Sequence, residues 1–500
     1  MSRAVVIGAG VGGLATAARL AALGHEVTVC EAGPDVGGKL GLLTAEVPGL
    51  GTFRFDTGPS LVTLPQVFRD LFADTGGWPD GLELTPLDPL ARYRFADGSG
   101  FDASSDLDEL CARLDDLRPG NGDDWRAFSA RAERIWEASR GPFLESALDG
   151  PATIASLAVR HPRDLAAIAP GRSLRSLGRR HLRDPRLRLF LDRSATYTGS
   201  DPRRAPAALA AVPYAEQAFG GWYVPGGLHR LGLALRDRAL ERGAVLRHDA
   251  RVVRIETTAG RASGVRLASG ERLPADVVVA NTDAASVYGE LLDTVQPAVA
   301  RRLARATPSL SGFVLLLAVE GRTPGLAHHN VLFPADYDAE FDAVFGSPAR
   351  PVDDPTLYVS APDDPAVRPD GCEAWFVLVN APRHELGPAG RGSVDWCAPG
   401  LADRYADGLL EGLAARGLPV RDRVRWSRVL SPADLEHRTG AVGGAIYGTS
   451  SNGASAAFLR PANRSPVPGL FLVGGSSHPG GGLPLVALSA SIVAGLVGAP

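Results

Sequence analysis

Gly8, Gly10 and Gly13 stand in GxGxxG spacing within AVVIGAGVGGLATAARLAALGHEVTVCEA, between an apolar run and an Ala-rich segment. That spacing suits a dinucleotide phosphate: the first glycine permits a tight turn, the second admits the pyrophosphate to the backbone, and the third lets helix and strand pack closely. Glu31 follows Gly10 by 21 residues, where a carboxylate can accept hydrogen bonds from ribose hydroxyls. Gly37, Gly38 and Lys39 come next, and Lys39 is the single lysine among 52 basic residues in a chain of 500. An ammonium is a compact point charge where guanidinium is a planar fork. The glycine doublet and its cation therefore read as a second wall of a pyrophosphate pocket, the first wall being a helix N-terminus.

These residues need a frame to hold them. The first thirty residues read as a strand (Ala4 to Ile7), a helix (about Gly12 to Ala22) and a second strand (Glu26 to Cys30), a βαβ unit. Its extension through Lys39 is more typical of FAD, bound along its whole length, than of NAD. GGWYVPGGLHRL returns the chain to this unit, and AVLRHDARVVRIET and ADVVVANTD read as two buried strands separated by a hairpin. FLVGGSSHPGGGLPLVALSASIVAGLV repeats strand, glycine turn and helix, and its apolar end reads as a buried helix. Runs between residues 311 and 382 (SGFVLLLAVEG, HHNVLFP, TLYVSAP, CEAWFVLVNAP) suggest a mixed or antiparallel sheet flooring a cavity.

With 45% hydrophobic and 22% charged residues, the composition is that of a soluble globular protein. A net charge of −4 gives no global case for nucleic acid as a partner. Cys30, Cys111, Cys372 and Cys397 show neither paired spacing nor histidine companions, so no disulfide framework and no metal site is expected. A reducing cytoplasm fits. Residues 151–190 hold nine arginines against Asp164 and Asp184, interleaved with Ile154, Leu157, Leu165, Ile168, Leu174 and Leu177. Such a segment reads either as a membrane-surface contact or as a solvated helical hairpin.

GAGVGGLATAARLAALGHEVTVCEAGPDVGGKL followed by FRFDTGPSLVTLP resembles the N-terminus of the phytoene desaturase family of carotenoid biosynthesis, flavoproteins of the wider amine oxidase and glutathione reductase-like group. The resemblance implies an α/β fold: a glutathione reductase-like FAD-binding Rossmann domain assembled from segments 1–75, 221–285 and 465–500. An α+β substrate domain would take 76–220 and 286–464, with a helical membrane-facing region at 151–190. It implies that FAD is held by Gly8, Gly10, Gly12, Gly13, Glu31, Ala32, Gly38, Lys39, Thr57, Gly58, Pro59, Ser60, Val253, Gly474, Gly475, Leu483, Pro484 and Leu485. The Asp56–Ser60 segment would lie beside the isoalloxazine, the backbone near Val253 at adenine, and the last helix would aim its positive end at the ring.

The expected reaction is desaturation of a long apolar isoprenoid, a carotenoid such as phytoene or a hydroxylated or methoxylated derivative, by hydride transfer to flavin N5 and loss of a proton. It needs no strong base, because a developing allylic cation is acidic; positioning and electrostatics carry the catalysis. His478, Tyr197 and Arg193 are the candidate polar residues, although Arg193 could instead pair with Asp192 or Asp201. Quinone or oxygen would reoxidise the flavin, and a bilayer-dissolved substrate implies a cytoplasmic protein docked peripherally on an anionic membrane surface. An amine oxidase-like enzyme, a carotenoid isomerase or saturase, and a lipid carrier without FAD are the alternatives.

Overall fold

The computed structural model describes residues 2–148, 166–387, 390, 392–453, 456 and 460–500. Arg3–Ile7 lies at the centre of a five-stranded parallel sheet, in the order Leu470–Leu472, Val277–Ala280, Arg3–Ile7, Glu26–Cys30, Val245–Arg247. Strands covered on both faces read as unbroken apolar runs, and here each face has its own cover. Ala4, Val6, Val27, Val29, Val277 and Val279 pack with the helix Val11–Ala22. Val5, Ile7, Val278 and Ala280 pack under an antiparallel sheet of Val252–Thr258, Arg261–Leu267 and Arg272–Pro274. The helices Leu483–Val497, His229–Glu241 and Pro65–Thr75 close around Val11–Ala22.

The segment AVLRHDARVVRIET departs from its reading as one buried strand. It breaks at Asp249, whose φ of 51° is left-handed, a conformation that a short polar side chain tolerates. Val245–Arg247 becomes the edge of the parallel sheet, while Val252–Thr258 starts the antiparallel one.

The second large sheet has seven strands in the order Val424–Leu430, Ser311–Glu320, Cys372–Ala381, Leu357–Ser360, His329–Leu332, Ala91–Arg94, Gly100–Ala103. It is mixed, with only His329–Leu332 and Ala91–Arg94 pairing in parallel. Ser311–Glu320 and Cys372–Ala381 form its central ladder. Phe313, Leu315, Leu317, Trp375 and Val377 face the helix Leu401–Ala415. Val314, Leu316, Ala318 and Phe376 pack with Phe53 and Phe55 of the hairpin Leu42–Val47/Gly51–Asp56.

Of residues 151–190, those up to 165 lie outside the described residues, and with them Ile154, Leu157 and Leu165. The remainder forms the helices Leu174–His181, capped by Ser173, and Pro185–Arg193, capped by Asp184. Leu174 and Leu177 are buried and Arg172, Arg179 and Arg180 are exposed. Among the described residues no helix is long and apolar enough to cross a membrane.

Candidate functional site

A cavity of about 1770 Å³ has walls from both sheets, from Gly8–Gly12 and Gly474–Gly475 to Val314, Phe376 and Leu378. A drug-sized ligand site measures roughly 300–1,000 Å³, so this one has room for a dinucleotide and a long second molecule. Every site residue read from the sequence lines it except Gly13.

Gly13 belongs to the packing instead. A Cβ there would lie 2.0 Å from the Gly8 carbonyl oxygen, so the residue sets how closely the helix Val11–Ala22 approaches the first strand. Gly12 is tight in another direction, because its Cβ would sit 2.6 Å from Asn281 Oδ1 and 3.3 Å from Gly474 Cα. The two glycine turns from opposite ends of the chain thus meet at Asn281. Among the described residues no side chain caps the helix Val11–Ala22, which leaves its first N–H groups for a ligand anion. Leu483–Val497 likewise starts at the cavity without a side-chain cap, with Leu483, Pro484 and Leu485 on the wall.

Glu31 is already engaged. Its Oε2 accepts from Ala9 N at 2.7 Å and its Oε1 from Gly33 N at 2.9 Å, so it pins the glycine turn; two oxygens offer about four lone-pair sites, which leaves capacity for hydroxyl donors. Ala32 adjoins it on the wall, as does Val253, whose side chain is 43% exposed. Lys39 is also occupied: Nζ donates to the carbonyl oxygens of Ala445 at 2.9 Å and Ile446 at 2.5 Å. Two of the three ammonium donors therefore face main chain. Burial pushes this lysine down to about 8, with Asp283 countering and Arg460 reinforcing the shift.

Arg460 had no motif to announce it. Its Nη1 donates to the carbonyl oxygens of Tyr447 (2.9 Å) and Gly475 (2.6 Å), and Nη2 to that of Thr449 (2.6 Å). Burial lowers it to about 10, again opposed by Asp283. A half-buried lysine and a buried arginine thus share one nearby carboxylate beside Gly38 and Gly475. A wall short of negative charge, uncapped helix ends and glycine turns form a donor set that fits the diphosphate of FAD.

Thr57–Ser60 is fixed from several sides. Arg438 Nη2 donates to Thr57 Oγ1 at 2.7 Å, and a Cβ on Gly58 would strike the Lys39 carbonyl oxygen at 2.0 Å. Asp56, just before them, accepts from Leu228 N (2.7 Å) and His229 N (2.9 Å), anchoring the start of the helix His229–Glu241. Ser60 Oγ shares a short hydrogen bond with the Tyr358 hydroxyl, which also meets His329 Nδ1.

His478 is 5% exposed and its Nε2 lies 2.9 Å from the Ser146 carbonyl oxygen. Its own carbonyl accepts from Asn463 Nδ2 and Ser489 Oγ, both at 2.8 Å. Arg193 does not pair with Asp192 or Asp201: Asp192 binds Arg175 and Asp201 binds Arg203, each at 2.8 Å. Arg193 Nη1 instead donates to the Tyr197 hydroxyl, and its guanidinium carbon lies 5.0 Å from the Tyr197 ring centre and 5.5 Å from that of Tyr358. Glu216 Oε1 is 3.4 Å from the Tyr197 hydroxyl. Burial raises the Glu216 carboxyl, with Arg193 opposing. Glu216, Tyr358, Arg460 and Asp283 all line the cavity, and no sequence motif marked them. Away from it, His384, Asp395 and Cys397 bring ligand-type atoms within 4.8 Å of one another, but Asp395 already accepts from Cys397 N (3.0 Å) and His384 Nδ1 from Trp396 N (3.2 Å).

Residues 11–367 match the family of flavin containing amine oxidoreductases. The chain is 38% identical to the hydroxyneurosporene desaturase of Cereibacter sphaeroides, over 97% of this chain and 95% of that protein. It is 35% identical to the 4,4'-diapolycopene oxygenase of a Methylomonas species, over 98% and 97%. With the zeta-carotene-forming phytoene desaturase of Myxococcus xanthus the identity is 34%, over 98% and 93%. Among solved structures, an oxidoreductase from Methanosarcina mazei superposes with a TM-score of 0.65 at 18% identity, over 98% of this chain and 99% of that one. Putrescine oxidase bound to putrescine gives 0.65 at 15% identity, over 99% of each chain. At these identities the structural likeness concerns the fold, a mixed α/β architecture of parallel and antiparallel sheets.

Proposed function

This chain belongs to the flavin-containing amine oxidoreductases and, within them, to the carotenoid desaturase family, and from that premise we propose that it desaturates a long apolar isoprenoid of the carotenoid class. It is an FAD-dependent oxidoreductase. The observation that carries the substrate reading is the continuity of one cavity from the two glycine turns to the apolar wall of Val314, Phe376 and Leu378.

When bound, FAD supplies a two-electron acceptor. The chain supplies everything else. Gly8–Gly12, Glu31, Gly38 with Lys39, Gly474–Gly475 and the start of the last helix would hold the dinucleotide, and Thr57–Ser60 would border its ring. This assigns 1–75, 221–285 and 465–500 to a glutathione reductase-like Rossmann domain, supported by the packing of Pro65–Thr75, His229–Glu241 and Leu483–Val497 around Val11–Ala22. The remaining segments form the substrate domain. The apolar walls exclude water and align the bond to be oxidised, which is the main contribution open to side chains in a reaction that needs no strong base.

A carotenoid dissolves in the bilayer, so on this reading the protein takes its substrate from there. Arg172, Arg179 and Arg180 are exposed on the segment whose neighbours Ile168 to Ser173 line the cavity, which supports an anionic membrane surface as the docking partner. Docking there gives access to quinone as electron acceptor, with oxygen as the soluble alternative. An amine substrate is disfavoured by Arg193, since a guanidinium on the wall repels an ammonium.

The test is to load the purified protein with FAD and incubate it with vesicles carrying phytoene, neurosporene or a hydroxylated derivative. A red-shifted polyene absorbance is expected for at least one. Flavin-loaded protein that leaves every carotenoid spectrum unchanged overturns the reading.

A further inference from the structure

Each double bond made in the cavity releases one proton from the substrate, and a cavity with apolar walls is a poor place to leave a charge. A route outward begins at Ser60, which lines the cavity. Ser60 Oγ and His329 Nδ1 both meet the hydroxyl of Tyr358. Tyr358 stands on Leu357–Ser360, and His329 on the neighbouring strand, where it pairs with Ser360. His329 is fully buried, and His328 lies flat against it, with ring centres 4.5 Å apart and planes 7° from parallel. The Nε2 atoms of both rings are buried and, among the described residues, meet no hydrogen-bond partner. That is a cost which a purely structural pair has no reason to keep. His328 also meets the Tyr223 ring at 4.6 Å, and the Tyr223 hydroxyl donates to Asp364 at 3.0 Å. Both His328 and Asp364 are only half-buried.

We propose that Ser60, Tyr358 and His329 form a relay that draws the substrate's proton out of the cavity, with His328 and Asp364 as its outlet to solvent. This rests on the desaturase reading and adds the proton's path. His329 starts as the neutral Nε2–H tautomer, with Nδ1 accepting from Tyr358 and the Tyr358 oxygen accepting from Ser60. The substrate's proton reaches Ser60 Oγ as Ser60 passes its own to Tyr358 and Tyr358 passes its own to His329 Nδ1. The electron pair of the broken C–H bond becomes the new double bond, the hydride from the neighbouring carbon goes to FAD, and His329 becomes an imidazolium. Turning its Nδ1–H towards His328 and turning back bare, His329 restores the starting state; no hydrogen bond at Nε2 restrains either ring. The proton does not lodge on the way. Burial, His328 and Arg193 hold His329 well below the ordinary histidine range, and burial holds His328 at about 4, with Asp364 and Asp363 opposing. Burial keeps the Tyr358 hydroxyl at about 12, with Ser60 and Arg193 lowering it and Glu216 raising it, so it relays as a neutral phenol. Bases this weak suffice because the proton comes from an allylic cation, a far stronger acid.

The experiment is an anaerobic single turnover of the flavin-loaded enzyme on carotenoid-bearing vesicles, with polyene absorbance and a pH-indicator dye followed together. The wild type is expected to release one proton per double bond in step with the polyene. Tyr358→Phe keeps the ring and cuts the relay at both bonds, and His329→Gln removes its acceptor. Each should slow polyene formation at saturating substrate at least about tenfold, with KM within about twofold of wild type. Deuterium at the carbon that loses the proton should then slow the variants more than the wild type, whereas a variant damaged only in shape would be slowed by deuterium at the carbon that gives the hydride. Flavin absorbance and thermal unfolding verify that the variants are folded. Independently of turnover, nitrogen NMR of the flavin-loaded protein without substrate should show His329 as the neutral Nε2–H tautomer, with an Nδ1 signal that shifts in Tyr358→Phe. Wild-type rates in both folded variants, an isotope effect that stays with the hydride carbon, or an Nδ1–H tautomer overturns the relay while leaving the desaturase reading intact. A flavin-loaded wild type that oxidises no carotenoid overturns that reading, and the relay's task with it.

Discussion

The Lys39 ammonium lies 2.9 Å from the Ala445 carbonyl oxygen, joining positions 406 residues apart. This contact holds the loop after Glu31 against the far wall of the cavity. It also makes the site sensitive to pH. Burial sets the lysine at about 8 against an ordinary 10.5, so between those values the unfolded chain binds the proton more than the folded apoprotein does. The apoprotein should gain stability as pH rises from about 8 to 10.5, and below pH 8 it carries the full cost of the buried charge. A dinucleotide diphosphate would relieve that cost by stabilising the ammonium. FAD binding should therefore take up a proton in this window, and its affinity should fall as pH rises above about 8. Flavin fluorescence titrations between pH 7 and 9.5 would show this slope in the wild type and none in Lys39→Met. A wild-type affinity independent of pH would remove Lys39 from the cofactor site.

Gly13→Ala should act on folding rather than on the ligand. The added methyl would meet the Gly8 carbonyl oxygen at 2.0 Å, and overpacking of this kind typically costs about 1–3 kcal/mol. A lowered unfolding temperature is expected, with FAD affinity of the folded fraction within about threefold of wild type. Unaltered stability would mean that the helix Val11–Ala22 can move away from the first strand.

The contrast between Gly13 and Arg460 shows what sequence can carry. Gly8, Gly10, Gly13 and Glu31 lie within 24 residues of one another, and local geometry ties their spacing to one βαβ unit. The strands Ala4 to Ile7 and Glu26 to Cys30 were legible for the same reason. Arg460, Glu216 and Tyr358 reach the cavity through tertiary packing alone, from segments whose composition is ordinary. The break at Asp249 was hidden because each half of AVLRHDARVVRIET is strand-like, and only the competition between two sheets separates them. Ala91–Arg94 and Gly100–Ala103 are short strands whose identity depends on pairing with His329–Leu332. Lys39 stood out in the sequence by its rarity, but the main-chain carbonyls of Ala445 and Ile446 that hold it had no signature at all.

His478→Gln separates acid–base work from positioning. The ring contacts the Ser146 carbonyl oxygen at 2.9 Å, so it ties the last glycine turn to the end of the segment following the helix Asn121–Ser139. A positioning role predicts a rise in KM with the pH profile of kcat preserved. Loss of a titrating limb from that profile would instead give His478 a part in proton transfer.

The arginine surface makes a quantitative claim about membranes. Arg134, Arg172, Arg179 and Arg180 are exposed, and among the described residues none forms a salt bridge. Their charges reach their neighbours: burial lowers Arg131, and Arg134, Arg172 and Arg180 lower it further, while burial, Arg180, Arg131 and Arg134 lower His181. Cations crowded enough to depress one another are a positive face awaiting anions. Each basic residue near an anionic bilayer contributes about 1 kcal/mol. Arg179→Gln with Arg180→Gln should then reduce partition onto anionic vesicles by about 30-fold, the conversion of ~2 kcal/mol at 1.36 per decade. The wild-type partition should also weaken as salt shortens the screening length. Zwitterionic vesicles supply the control, because there the substitution should matter little. Equal partition of both proteins on anionic lipid in flotation assays, or a wild-type partition indifferent to salt, overturns the proposal that this arginine face docks on an anionic membrane.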